Sequence, residues 1–69
     1  MSKEIIFLVE ESLEGGYEAK ALGCPIYTEG ETLEELRIAV TDAVKCHFEQ
    51  HQLPDIIRLH IVKDEVIAA

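Results

Sequence analysis

The sequence predicts an α+β domain in which one helix lies over one face of a small, mostly antiparallel sheet. Three observations predict it. An uninterrupted amphipathic stretch follows a capping signature at Thr32. Three short β-type stretches come before it and one comes after. No second stretch has helical periodicity, so a single helix must serve the whole sheet. At 69 residues the chain is one domain, 1–69. Its size buries little surface, and association of copies is a standard remedy.

Ile5-Ile6-Phe7-Leu8-Val9 is β-branched and aromatic, and apolar on both faces. Such a strand sits centrally, covered on both sides. Glu11 to Gly16 reads as a turn whose glycines supply positive φ. Tyr17 to Leu22 alternates, with Tyr17, Ala19 and Ala21 opposite Glu18, Lys20 and Leu22, and completes a hairpin. Its alanines suit close approach of a helix. Gly23-Cys24-Pro25 breaks the run, because proline cannot donate to a ladder. Ile26-Tyr27-Thr28 is expected to be a short third strand, with Glu29-Gly30 turning into the helix.

Thr32 and Glu35 form a capping box, in which the Thr32 oxygen accepts from the Glu35 N–H and the Glu35 carboxylate reaches back to the Thr32 N–H. The helix is expected to run to His51. Leu33, Leu36, Val40, Ala43, His47 and His51 fall on one face, flanked by Ala39 and Val44. Asp42/Lys45 and Lys45/Glu49 lie at pairing distance on the solvent side. Leu53-Pro54 ends the helix. Ile56 to Val62 alternates as a strand, and Val66 to Ala69 is a fifth strand or an arm. The order β-β-β-α-β, with a right-handed helical crossover, places the last strand parallel to the first and gives a sheet ordered 3-2-1-4.

Composition narrows the function. A hydrophobic content of 48% excludes disorder, and no apolar run is long enough to span a membrane or to form the core of a signal peptide. A cytoplasmic location is expected, with Cys24 and Cys46 unpaired. Fourteen acidic and six basic residues leave a formal charge of −8. That field repels a phosphate backbone, disfavours direct nucleic-acid binding and favours a basic protein partner.

Catalysis needs a nucleophile with a base, paired carboxylates or a metal cluster. Ser2 and Ser12 sit in the terminus and a turn, and nothing near Cys24 or Cys46 lowers a thiol pKa. His47 and His51 have a zinc-compatible i,i+4 spacing but no third ligand, so they read as helix-end residues packed on the sheet rim. A magnesium nuclease would need an acid in the middle of the first strand. The acids lie past its end, at Glu10 and Glu11, and a residual site would rest on Glu10 and Asp64. The expectation is no catalytic site, no metal and no cofactor.

One helix leaves one sheet face uncovered. The helix side is expected to take Ile5, Phe7, Val9, Ala19, Ala21, Leu59 and Ile61. The other side is expected to show Ile6, Leu8, Leu22, Ile56 and Val62 among Glu18, Lys20, Arg58 and His60. A solvated face would read polar. A mixed face with clustered aliphatics marks an interface, so Ile6, Leu8, Leu22, Ile56, Arg58, His60 and Val62 are the candidate surface for a dimer, a tetramer or another partner.

Three segments carry a resemblance. Gly16-Tyr17-Glu18-Ala19, Leu22-Gly23-Cys24 and Thr28-Glu29-Gly30-Glu31-Thr32-Leu33-Glu34-Glu35-Leu36 resemble, in order and spacing, the pattern of the HicB-like antitoxin family. The resemblance implies a truncated RNase H-like β-β-β-α-β fold without catalytic acids. It also implies a HicA-type partner, a small basic mRNA interferase whose active site the antitoxin masks. Many HicB-like proteins add a C-terminal DNA-binding domain, which this sequence is expected to lack because it stops at Ala69. It departs from the family's Leu-Pro-Gly turn by placing Pro25 after Cys24. The expected function is a non-catalytic, antitoxin-like protein-binding domain. A stand-alone oligomeric regulatory or scaffolding module is the alternative.

Overall fold

A computed structural model describes residues 3–63 and 65–69. The elements are β1 (Glu4–Glu11), β2 (Tyr17–Ala21), β3 (Tyr27–Gly30), α1 (Leu33–His47), a 3₁₀ turn (Gln50–Gln52) and β4 (Ile56–Val62). The sheet is ordered β3-β2-β1-β4. The first three strands pair antiparallel, and β4 runs parallel to β1. The expected α+β class, strand order and parallel closure are therefore present. The Lys3 carbonyl accepts from the N–H groups of Asp55 and Ile56 at 2.9 and 3.1 Å, which starts the parallel register.

The helix and sheet bury Ile5, Phe7, Val9, Ala19, Ala21, Ile26, Leu36, Val40 and Val44. The α1 backbone approaches β3 and β2 most closely, where the side chains beneath are Ala19 and Ala21. Phe7 and Val9 of β1 fill the remaining space. Gly15 and Gly16 take positive φ values of 98° and 85°, as the tight turn between β1 and β2 requires.

Five details differ from expectation. First, α1 stops at His47. Phe48 and Glu49 are extended, and only a short polar 3₁₀ turn follows. The 15-residue helix is ~22 Å long, and the eight-residue β1 is ~26 Å. Phe48 and Leu53 on either side of the short turn pack partly buried against the core, while Gln50, His51 and Gln52 are exposed. Second, Val44 belongs to the buried stripe, which continues into the partly buried Phe48 and not into His47. Third, Ile61 is exposed, because the helix stands over β3 and β2. Fourth, β3 extends to Gly30, and the expected turn begins only there. Fifth, the described tail residues, 63 and 65–69, carry no strand.

The cap is half as expected. The Glu35 N–H donates to Thr32 Oγ1 at 3.1 Å, but the Glu35 carboxylate accepts from Glu31 N–H at 3.1 Å and not from Thr32. Thr32→Ala is expected to cost about 1 kcal/mol, the usual worth of an N-cap, and Thr32→Ser to keep most of it. Urea denaturation of the two variants checks both. Among the described residues neither helical Lys45 pair forms; Arg58 pairs with Glu4, and His51 Nε2 lies 3.6 Å from a Glu49 carboxylate oxygen.

Candidate functional site

The uncovered face can be laid out row by row from the strand register. Glu29, Glu18, Glu10 and Val62 form one row across β3, β2, β1 and β4. Tyr27, Lys20, Leu8 and His60 form the next. Ile6 and Arg58 follow, beside Leu22, whose N–H donates to the Ile6 carbonyl at 2.9 Å. Glu4 and Ile56 close the face. The expected surface residues Ile6, Leu8, Leu22, Ile56, Arg58, His60 and Val62 therefore share one face. Leu22, Ile56 and Val62 are 54, 43 and 40% exposed, and Ile6 and Leu8 are half-buried between them.

Three glutamates side by side cost stability, because like charges directly opposite on adjacent strands repel. Among the described residues none of the three has a cationic partner within ion-pair distance. Tyr27 lies in the neighbouring row. Its phenol is held above the ordinary tyrosine pKa, first by partial desolvation, then by the charges of Glu18 and Glu29 and a hydrogen bond to Glu18. It therefore remains a neutral donor through the physiological range. Glu29 is absent from the expected surface because the sequence places it in the turn after Thr28; Tyr27 falls inside the expected strand, whose faces the sequence leaves unassigned. The alternation of buried Ile26 with Thr28 and Gly30, against Tyr27 and Glu29, carries the signal for both.

A second acidic depression lies at the turn end of the sheet. It is lined by Glu14, Glu18, Glu29, Glu31 and Glu35 around Gly16 and Gly30. Glu18 and Glu29 link it to the three-glutamate row.

The other chemical candidates are dispersed. His47 and His51 do not share a helix face. His47 is exposed, with its ring edge-on to Phe48 at 4.9 Å, and His51 lies in the 3₁₀ turn beside Glu49. The extended backbone at Phe48 and Glu49 breaks the i,i+4 spacing. Neither imidazole packs on the sheet rim as expected. Cys24 is half-buried against the core and Cys46 exposed, both as free thiols. Among the described residues no three His, Cys, Asp or Glu side chains come together to hold a metal ion. Ser2 and Asp64 lie outside the described residues. Among the described residues no helix is long and apolar enough to cross a membrane.

Comparison with known proteins supplies the family. The chain is 46% identical over 66 residues to a "UPF0150 protein" of Thermotoga maritima, covering 96% of this chain and 93% of that one. It is 52% identical over 52 residues to a "UPF0150 protein" of Archaeoglobus fulgidus, covering 75 and 77%. The chain belongs to the UPF0150 family. That name states no activity. No protein-family model matches the chain, and no solved structure matches it. For this UPF0150 chain the functional reading rests on its own surface.

Proposed function

We propose that this UPF0150 chain is a non-catalytic, HicB-like protein-binding domain. Its uncovered sheet face takes a small basic protein at the glutamate row and a further copy of the chain at the aliphatic rows. The HicA-type mRNA interferase implied by the sequence resemblance is the basic partner that fits. The observation that carries the reading is the row Glu10–Glu18–Glu29 beside Leu8, Ile6, Ile56 and Val62. An isolated domain bears three adjacent like charges as a cost. A partner's Lys or Arg inserted among them turns the cost into attraction, and the net charge of −8 speeds the encounter.

The test mixes the full chain with a HicA-type interferase at low and high salt. A salt-sensitive complex that protects RNA from cleavage supports the proposal; no complex at low salt and no protection defeats it. Glu18→Lys sharpens the test, because it places a cation between Glu10 and Glu29. It is expected to raise the urea midpoint of the free domain while weakening partner binding at least tenfold, about 1.4 kcal/mol. A variant that leaves binding unchanged counts against the row. The aliphatic rows favour the second reading, a stand-alone self-associating scaffold, if no basic toxin is encoded beside this gene.

A further inference from the structure

We propose that two copies of this chain pair edge to edge through β4, antiparallel and with the two-fold axis at Leu59, to make one eight-stranded sheet. The inference deepens the self-association part of the proposed function by naming a second contact, and it is independent of any basic partner.

The two edges of the sheet are built differently. The β3 edge is four residues long, contains Glu29, follows Pro25 closely and ends at Gly30 beneath the first turn of α1. Short length, charge and a nearby proline are the usual means of blunting an edge. β4 differs in length and in the sign of its charge: Pro54 precedes it as closely as Pro25 precedes β3, but its one fixed charge is Arg58, already paired with Glu4. Its seven residues, Ile56-Ile57-Arg58-Leu59-His60-Ile61-Val62, contain no proline, glycine or acid. It is the only strand without an acid: β1 has Glu4, Glu10 and Glu11, β2 has Glu18 and β3 has Glu29. Two chains of charge −8 repel least where they meet along it. Among the described residues only β1 pairs with β4, so its other edge presents unpaired backbone groups.

Both sides of this edge carry exposed or half-buried aliphatic side chains. On the helix side Ile57, Leu59 and Ile61 line an open groove with Arg37, Val40 and Thr41, and Ile61 is 50% exposed. The groove exists because the helix stands over β3 and β2. On the other side Ile56 and Val62 are exposed.

The order of residue types along β4 reads nearly the same in both directions. With the axis at Leu59, Leu59 faces itself, Ile57 faces the other copy's Ile61, and Ile56 faces its Val62. Arg58 faces the other copy's His60, and Glu4 already pairs with Arg58 within each chain. Residues directly opposite share a sheet face, so only registers centred on a residue keep the two helices on one side. Centring on Arg58 would set Arg58 against itself and Ile56 against His60. Centring on His60 would set Arg58 against Val62. Only the Leu59 register matches apolar with apolar throughout.

The test uses the full chain. Leu59→Cys places two thiols on the axis, where opposed Cα atoms of an antiparallel pair lie ~4.5–5.5 Å apart, within disulfide reach. Mild oxidation is expected to convert this variant to a reductant-sensitive dimer. The unsubstituted chain, which has Cys24 and Cys46, controls for background. Ile61→Lys puts a lysine against Ile57 of the other copy and is expected to abolish the edge dimer in sedimentation. His60→Glu opposes Arg58 twice per dimer and is expected to tighten it by about three- to tenfold, whereas His60→Lys should loosen it by a similar factor. Cross-linking at Leu59→Cys that survives Leu8→Lys separates the edge contact from association through the uncovered face. Association that Leu8→Lys destroys, with no Leu59→Cys cross-link and no response to Ile61→Lys, overturns the edge pairing and leaves the face reading standing. A chain that stays monomeric at 100 micromolar overturns both.

Discussion

Phe7→Ala is expected to remove about 3–5 kcal/mol from the fold. Phe7 is fully buried at the middle of β1. Ala21 of β2 lies on one side of it and Leu59 of β4 on the other, with the helix above. The neighbouring side chain at Ala21 is too small to move into the space left by the ring. A chain of this length is stabilised by only about 3–10 kcal/mol in total. Far-UV circular dichroism at 25 °C should therefore show the variant largely unfolded, or with a urea midpoint at a fraction of the original. Leu22→Ala is the control. Leu22 is also a large aliphatic residue, but it lies exposed on the uncovered face. Its truncation should change stability of the monomer by no more than about 0.5 kcal/mol. If Leu22→Ala proves as damaging as Phe7→Ala, association is holding the chain folded, and the midpoint will then depend on protein concentration.

The contrast between Phe7 and Leu22 also shows what the sequence could and could not convey. The apolar run Ile5–Val9, the alternation from Tyr17 and the capping signature at Thr32 are local patterns. Each gave its element, and together they fixed the strand order through the handedness of the crossover. The end of α1 was not a local matter. The sequence after His47 contains no glycine and no proline until Pro54, yet the chain turns extended at Phe48, whose side chain packs partly buried against the core. The exposure of Ile61 has the same character, since it depends on where the helix lies across the sheet. The uncovered face was legible in part. Its aliphatics follow from period-two alternation, but the three-glutamate row appears only when the registers of three strands are combined. Glu10, Glu18 and Glu29 are far apart in the chain, and a one-residue slip in any pairing would disperse them.

Gly30→Ala is expected to be the most damaging single-methyl change in the chain. Gly30 has no positive φ, so backbone conformation does not require glycine there. Space does. An added Cβ would stand 2.7 Å from the Leu36 nitrogen, 3.0 Å from Leu36 Cα and 3.1 Å from the Glu35 carbonyl carbon, all backbone atoms that cannot rotate away. Overpacking of this kind costs about 1–3 kcal/mol or more, and the relief must come from moving the first turn of α1 and the end of β3 apart. Both capping hydrogen bonds, Glu35 N–H to Thr32 Oγ1 and Glu31 N–H to the Glu35 carboxylate, lie in that turn. The expected outcome is a lower urea midpoint that Gly30→Ser does not restore, since any side chain meets the same backbone. Gly23 offers the opposite case. Nothing lies near its missing Cβ, but its φ is +85°, so Gly23→Asn should be tolerated better than Gly23→Ala because asparagine enters the left-handed region more readily. If Gly30 follows the Gly23 pattern, with asparagine better than alanine, the tight contact with Leu36 is not what selects glycine. Because Glu29 precedes Gly30 on the same strand, a β3 displaced by the added methyl also shifts Glu29 out of the row with Glu18 and Glu10. Gly30→Ala should therefore weaken a basic partner even at concentrations of urea-free protein where the chain remains folded. A folded Gly30→Ala variant with undiminished binding would mean that the partner does not read the glutamate row.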